Sequence, residues 1–260
     1  IDIAIMISKK ACDWAYKKTT RGSAPLKNLG GSVNSDFAEF GATISEGRLY
    51  FSAMIADSVG LGNVINDVHF YSRIYQKALN DQKAGKQLEF DRKSIPIFQN
   101  RHLSNPCIFQ NQIYFSICDT NFNCEIWVGD LATNRVSNIK RLNKNINTTA
   151  SNNTQAHVIQ EKSEVFIYFA SDRNQGFGGF DIWKAKLESF GFGKPVNLGS
   201  EINSPDNEIT PFYDTQSRTL FFSSNWHIGF GGYDVFQSRL ERKVFQPSEN
   251  LGTKINSNFN

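Results

Sequence analysis

The stretch Ser171 to Asn203, SDRNQGFGGFDIWKAKLESFGFGKPVNLGSEIN, returns at Ser224 to Asn256 as SNWHIGFGGYDVFQSRLERKVFQPSENLGTKIN. A chain built from copies of one unit must give each copy the same local structure and bury its apolar face against the next copy. In both copies an aromatic residue (Trp183, Phe236) precedes a leucine (Leu198, Leu251) by 15 residues, and an asparagine (Asn203, Asn256) follows that leucine by five. The same spacing fits Trp127, Leu142 and Asn147, and also Trp14, Leu29 and Asn34. A degenerate copy sits at Tyr75 and Phe90. The anchors Trp14, Tyr75, Trp127, Trp183 and Phe236 are 61, 52, 56 and 53 residues apart, a period just above that of propeller blades.

Each regular copy reads as strand, turn, aromatic strand, Gly-rich hairpin, Asp-led aromatic strand, turn and a final strand ending in Asn-Leu-Gly. Four antiparallel strands in ~50 residues cannot bury both faces alone, so such units stack radially. The predicted fold is an all-β propeller of four-stranded antiparallel blades, five or six in number, with the terminal blade incomplete. The boundaries read 1–31 for a partial blade, 32–95 for a blade with a long inserted hairpin, and 96–147, 148–203 and 204–256 for three further blades. Residues 257–260 open the next. One propeller domain accounts for all 260 residues. The chain opens inside a repeat and stops at the start of another, so it is expected to be cut from something longer.

Composition agrees with strands and polar turns: aromatics make up 13% of the residues, with 22 Phe among them. Twenty-eight basic and 25 acidic residues are spread along the chain. No basic block offers a phosphate footprint, and nucleic acid is not an expected partner. The run Ile139 to Asn145, IKRLNKN, reads as a solvated face of an outer strand. No apolar run approaches the ~20 residues that span a bilayer, and Ile1 to Ile7 lacks the flanks of a secretory signal. The chain reads as soluble.

Along the chain, the alternating isoleucines of Ile1 to Ser8 suggest a strand, with an amphipathic helix through Tyr16 as the alternative. Trp14 to Thr19 and Lys27 to Leu29 are then the last two strands of the partial blade. Tyr50 lies 25 residues before its anchor, against 15 for Tyr168 and Phe221. About ten residues are therefore inserted within Ala53 to Ser72, as a variable surface loop or a functional one. Cys118 and Cys124 bracket a tight hairpin where paired strands bring side chains together. A disulfide there implies an oxidising compartment, while four cysteines, with Cys12 and Cys107 on predicted strands, fit buried thiols equally. His69, His102, His157 and His227 are scattered and no Cys-x-x-Cys occurs, so no metal site is expected.

Gly176, Gly178 and Gly179, with Gly229, Gly231 and Gly232, allow close backbone approach in the hairpins, either for structure or to shape a ligand site. Asn203 and Asn256 suit turns capped by side-chain bonds. Asp181 and Asp234 lead strands and do not make a catalytic pair. No nucleophile elbow, zinc-protease motif or phosphate loop is present, so no catalytic residue and no cofactor are predicted. The candidate binding face consists of these six glycines with Asp172, Arg173, Asp206 and Glu208. Those four charged residues are the cluster an enzyme would use.

Leu220-Phe-Phe-Ser-Ser-Asn225, Gly229-Phe-Gly-Gly-Tyr-Asp-Val-Phe236 and the Asn250-Leu-Gly run to Asn256, with their counterparts from Ile167 to Asn203, resemble the WD40-like propeller repeat of TolB-type proteins. The form Gly-Phe-Gly-Gly-Phe-Asp-Ile-Trp followed by Pro-Val-Asn-Leu-Gly is similar to the propellers of OmpA-family envelope proteins in bacteria with type IX secretion and gliding. That resemblance implies a periplasmic or outer-membrane-associated location and envelope proteins as partners, with peptidoglycan held by a domain outside this chain. The expected function is a non-catalytic interaction scaffold of an envelope complex. The alternative is a carbohydrate-binding or glycan-processing propeller enzyme.

Overall fold

The computed structural model describes residues 10–11, 14–15, 28–58, 68–81, 83–91, 98 and 100–258. They fall into two compact units, one of 28–158 and 188–192, the other of 1–27, 159–187 and 193–260.

The first unit carries two sheets. In one, β1 (Glu39–Ser45), β2 (Arg48–Ser58), β3 (Val68–Ala78) and β4 (Lys86–Gln87) lie side by side in chain order. β5 (Glu89–Phe90) then runs parallel to the last strand of the next sheet, where it meets Arg135 and Val136. That sheet holds β6 (His102–Phe109), β7 (Gln112–Cys118), β8 (Cys124–Ala132) and β9 (Arg135–Arg141), again in chain order. Ile74, Ile113, Phe115 and Val136 are fully buried in one cluster with Tyr50, Leu88, Phe98, Leu103 and Ile117.

The third sheet begins with β10 (Asn153–Glu161), which lies beside β11 (Glu164–Ser171), itself paired with β12 (Asp181–Glu188). β13 (Gly191–Phe192) follows in the chain, and β14 (Val196–Asn197) pairs with β12. The fourth sheet orders β15 (Glu208–Asp214), β16 (Thr219–Ser224), β17 (Asp234–Glu241) and β18 (Val244–Phe245), with β19 (Glu249–Asn250) also on β17. In the second unit Tyr168, Ile182, Ile202, Tyr213, Leu220, Phe222 and Phe236 form a core cluster.

Register ties the sequence spacing to this architecture. Tyr75, Trp127, Trp183 and Phe236 each sit on the third strand of a sheet, directly opposite Phe51, Phe115, Phe169 and Phe222 on the second. An aromatic cross-strand pair therefore recurs at the same place in all four sheets, each worth a few tenths to about 1 kcal/mol beyond its burial. The first strands share a second mark. Gly41, Asn105, Gln155 and Thr210 all have positive φ, between 53° and 59°, and in three of these strands the ladder shifts register there. Such a bulge bends a strand and increases its twist.

Three expectations need correction. Lys10, Ala11, Trp14 and Ala15 are helical, so Trp14 does not lie on a strand; lysine and alanine favour helix, and the Trp14 ring packs 4.9 Å from that of Phe230. Leu29 is in irregular backbone, while residues 1–9, 12–13 and 16–27, including the proposed Ile1 to Ser8 strand, lie outside the described residues. The insertion between Ala53 and Ser72 is not all loop: β2 and β3 continue pairing from Ala53 with Arg73 out to Ser58 with Val68, which satisfies backbone groups that a loop would leave to water. Finally, the described residues form four sheets rather than five or six. No helix among the described residues is long and apolar enough to cross a membrane.

Candidate functional site

The Gly-rich hairpins at 172–180 and 225–233 and the turn at 203–208 all belong to the second unit. Asp181 leads β12 and is fully buried. Its Oδ2 accepts bonds from the Phe177 amide at 2.6 Å and the Asn197 side chain at 2.7 Å. Asp234 repeats the arrangement, accepting from the Phe230 amide and, at 3.2 Å, from Asn250. A Cβ on Gly176 or Gly229 would collide with the carboxylate of Asp181 or Asp234 respectively. These glycines are needed because backbone wraps directly onto a carboxylate. Burial raises the Asp181 pKa, and the accepted bonds oppose that rise.

Gly178 and Gly179 serve a neighbouring contact. A Cβ on Gly178 would strike the backbone of Ser204 and Pro205, and one on Gly179 the side chain of Asn207. The Gly179 amide donates to Asp206 O at 2.8 Å and the Glu208 amide to Phe180 O at 2.6 Å. Asn207 in turn accepts from and donates to Asn225. Hairpin 172–180 is thereby stitched to the turn before the fourth sheet. Gly231 and Gly232 occupy the matching stretch of the next hairpin.

Within the predicted charged cluster the four residues differ in environment. Glu208 is fully buried, and its carboxylate accepts from Ser204 N at 2.7 Å, Ser204 Oγ at 2.5 Å and Ser224 Oγ at 2.6 Å. Burial raises its pKa, and His227 Nε2 stands 4.0 Å away. In the first unit Glu39 accepts from Ser35 N and Oγ in the same way, so Ser-x-x-x-Glu is a repeated turn staple. Arg173 lays its guanidinium 4.8 Å from the centre of the Phe169 ring and 5.3 Å from that of Trp183. Its Nε donates to Ser171 Oγ at 3.0 Å, and burial lowers its pKa to about 10. Asp172 and Asp206 are half-buried carboxylates on the hairpin and the turn.

Cys118 and Cys124, opposite each other across β7 and β8, form a disulfide. Cys107 is a buried free thiol, its pKa pushed up to about 11 by desolvation. No cluster of three or more metal-ligating side chains occurs among the described residues.

A groove that the sequence reading missed also lies in the second unit. It has a volume of about 770 Å³ and runs past Glu161, Phe166, Lys184, Leu198, Arg218 and Val244. The Lys184 ammonium stands 4.0 Å from the centre of the Phe166 ring and 4.9 Å from that of Tyr168. The only signal in the sequence is the alternation of Phe166 and Tyr168 on one strand, with Lys184 falling opposite Tyr168 once register is known.

Sheet order and the recurrent aromatic register define a β-propeller fold. Over 96% of this chain and 82% of the other, the structure is similar to a levansucrase variant from B. megaterium, with a TM-score of 0.59 and 8% sequence identity. It is also similar to an exo-beta-1,3-galactanase from Clostridium thermocellum, with a TM-score of 0.54 and 10% identity over 90% of this chain. The chain spans about half of that galactanase, 52% of its length. Likeness at this identity establishes the fold. No protein-family model and no curated protein sequence matches the chain. The expectation of a non-catalytic envelope scaffold is corrected by these findings: the similar solved structures named above are a levansucrase and an exo-galactanase rather than TolB-type or OmpA-family propellers.

Proposed function

We propose that this chain is a carbohydrate-acting propeller that binds and processes a glycan. The observation carrying the reading is the likeness to levansucrase across nearly the whole chain, reinforced by the likeness to a galactanase. Glycoside chemistry needs two carboxyl groups, one to protonate the leaving oxygen and one to activate water or attack the sugar. Asp172 and Asp206 are nominated for these roles, because they are half-buried whereas Glu208 is sealed among serines. Arg173 would orient substrate beside them.

The Cys118–Cys124 bridge supports placement outside the reducing cytoplasm, such as the periplasm or the outer membrane. The test is incubation of the purified chain with sucrose, levan, β-1,3-galactan and arabinan, with products followed by mass spectrometry. Sugar release or transfer from one of them supports the reading. Failure to bind or turn over any glycan removes it.

A further inference from the structure

We propose that the groove of the second unit is an additional glycan-holding site that grips a polysaccharide through residues outside the Gly-rich hairpins. The inference rests on the carbohydrate reading above and adds a site to it. The groove lies among the 161–166 turn, the 196–201 segment and the 240–245 turn, and its volume of about 770 Å³ falls within the several hundred Å³ of ligand sites. Its open form suits a chain entering and leaving rather than an enclosed monosaccharide.

The chemistry of the lining selects the ligand. Val196 and Val244 are 67% and 61% exposed and stand with Phe166, Leu198 and Leu240 as an apolar wall. Around it stand the carboxylates Glu161, Glu164 and Glu201 and the cations Lys162, Lys184, Arg218 and Lys243. Glu161 is paired with Lys184 at 3.7 Å and Glu164 with Lys186, and Lys184 also lies against aromatic rings, so the lining carries both signs. A strongly anionic or cationic ligand would meet like charge along the groove. A neutral polyhydroxylated chain meets none: its hydroxyls donate to carboxylates and accept from cations, while its C–H faces cover the exposed valines and Phe166. The backbone beneath is fixed, since Ser248 Oγ donates to Glu201 O and the Gly199 amide to Asn197 Oδ1 at 2.9 Å.

The test compares wild type with the double variant Val196→Asp and Val244→Asp. Both positions are solvent-exposed, so the fold is retained, which circular dichroism checks. Each protein is titrated with a soluble neutral polysaccharide (levan or β-1,3-galactan) and with the matching trisaccharide, and turnover of the trisaccharide is recorded. The expected result is a loss of polysaccharide affinity of tenfold or more in the variant, with trisaccharide turnover unchanged. Equal polysaccharide affinity in the two proteins, with wild-type turnover intact, overturns the groove site and leaves the proposed function standing. Absence of both binding and turnover in wild type overturns the two together. Tighter binding of a uronic-acid polymer than of the neutral chain overturns the assignment of ligand class.

Discussion

Asn203 closes both backbone groups of Ile182, a residue 21 positions earlier: its Oδ1 accepts from Ile182 N at 2.8 Å and its Nδ2 donates to Ile182 O at 3.0 Å. Asn147 does the same to Ile126, and Asn256 to Val235. Each clamped residue immediately precedes the aromatic anchor of its sheet, so the clamp ties the turn after the last strand back to the start of the third. Asn203→Ala leaves the buried Ile182 amide unpaired, at about 1 to 3 kcal/mol, while the Ile182 carbonyl keeps its bond from the Leu198 amide. The expected loss in urea unfolding is therefore about 1 to 3 kcal/mol. A loss below about 0.5 kcal/mol would mean that water or a neighbour replaces the clamp.

The hairpin glycines separate by what lies above them. Gly176→Ala drives a methyl group into the Asp181 carboxylate and is expected to cost about 2 to 3 kcal/mol. Gly31→Ala meets nothing within 4 Å and should change stability by no more than about 1 kcal/mol, in the stabilising direction. Melting temperatures of the two variants, measured in one buffer, decide whether the first glycine is there for close approach. Equal effects would remove that role.

These residues also show what could be read from the sequence alone. The spacing of aromatic, leucine and asparagine was legible because anchor and asparagine act at fixed places in a ladder, and register turns fixed spacing into fixed position. The asparagine's partner was not legible: a turn cap and a clamp on a strand 21 residues away leave the same residue at the same place. Glu208 entered the candidate cluster as a charge near Asp206, yet sequence carries no measure of burial, and its two serine partners are 4 and 16 residues away. Trp14 fits the spacing but lies among lysine and alanine, and local helix preference prevails there. The groove was illegible because its walls come from segments far apart in the chain that only the fold brings together.

The Cys118–Cys124 bridge closes a short loop, with the two residues six apart. For so small a loop the chain-entropy contribution is about 2 kcal/mol. Cys118→Ser with Cys124→Ser is expected to lose about that much, and adding dithiothreitol to wild type should lower its melting temperature toward that of the variant. A melting temperature unchanged by reduction would count against the bridge.

Glu208 gives stability a pH dependence. Burial raises its carboxyl pKa, so the folded state favours the protonated form. The resulting stabilisation is complete below the ordinary glutamate value of 4.5 and is lost as pH rises through the higher folded value. Glu208→Gln preserves the shape and does not titrate. The difference in melting temperature, wild type minus variant, should therefore be most positive near pH 4 and decrease toward pH 8. A difference that grows with pH would reverse the assignment.

The central claim is that this propeller acts on carbohydrate through carboxylates of its hairpin face. The most direct measurement is the rate of sugar release from the best glycan of the panel, for wild type and for the double variant Asp172→Asn with Asp206→Asn. The account predicts measurable wild-type turnover and a fall of at least about a hundredfold in the variant, the scale of losing acid–base catalysis, with folding unchanged by circular dichroism. Equal rates in the two proteins would contradict the placement of the chemistry, and no turnover in wild type would contradict the claim itself.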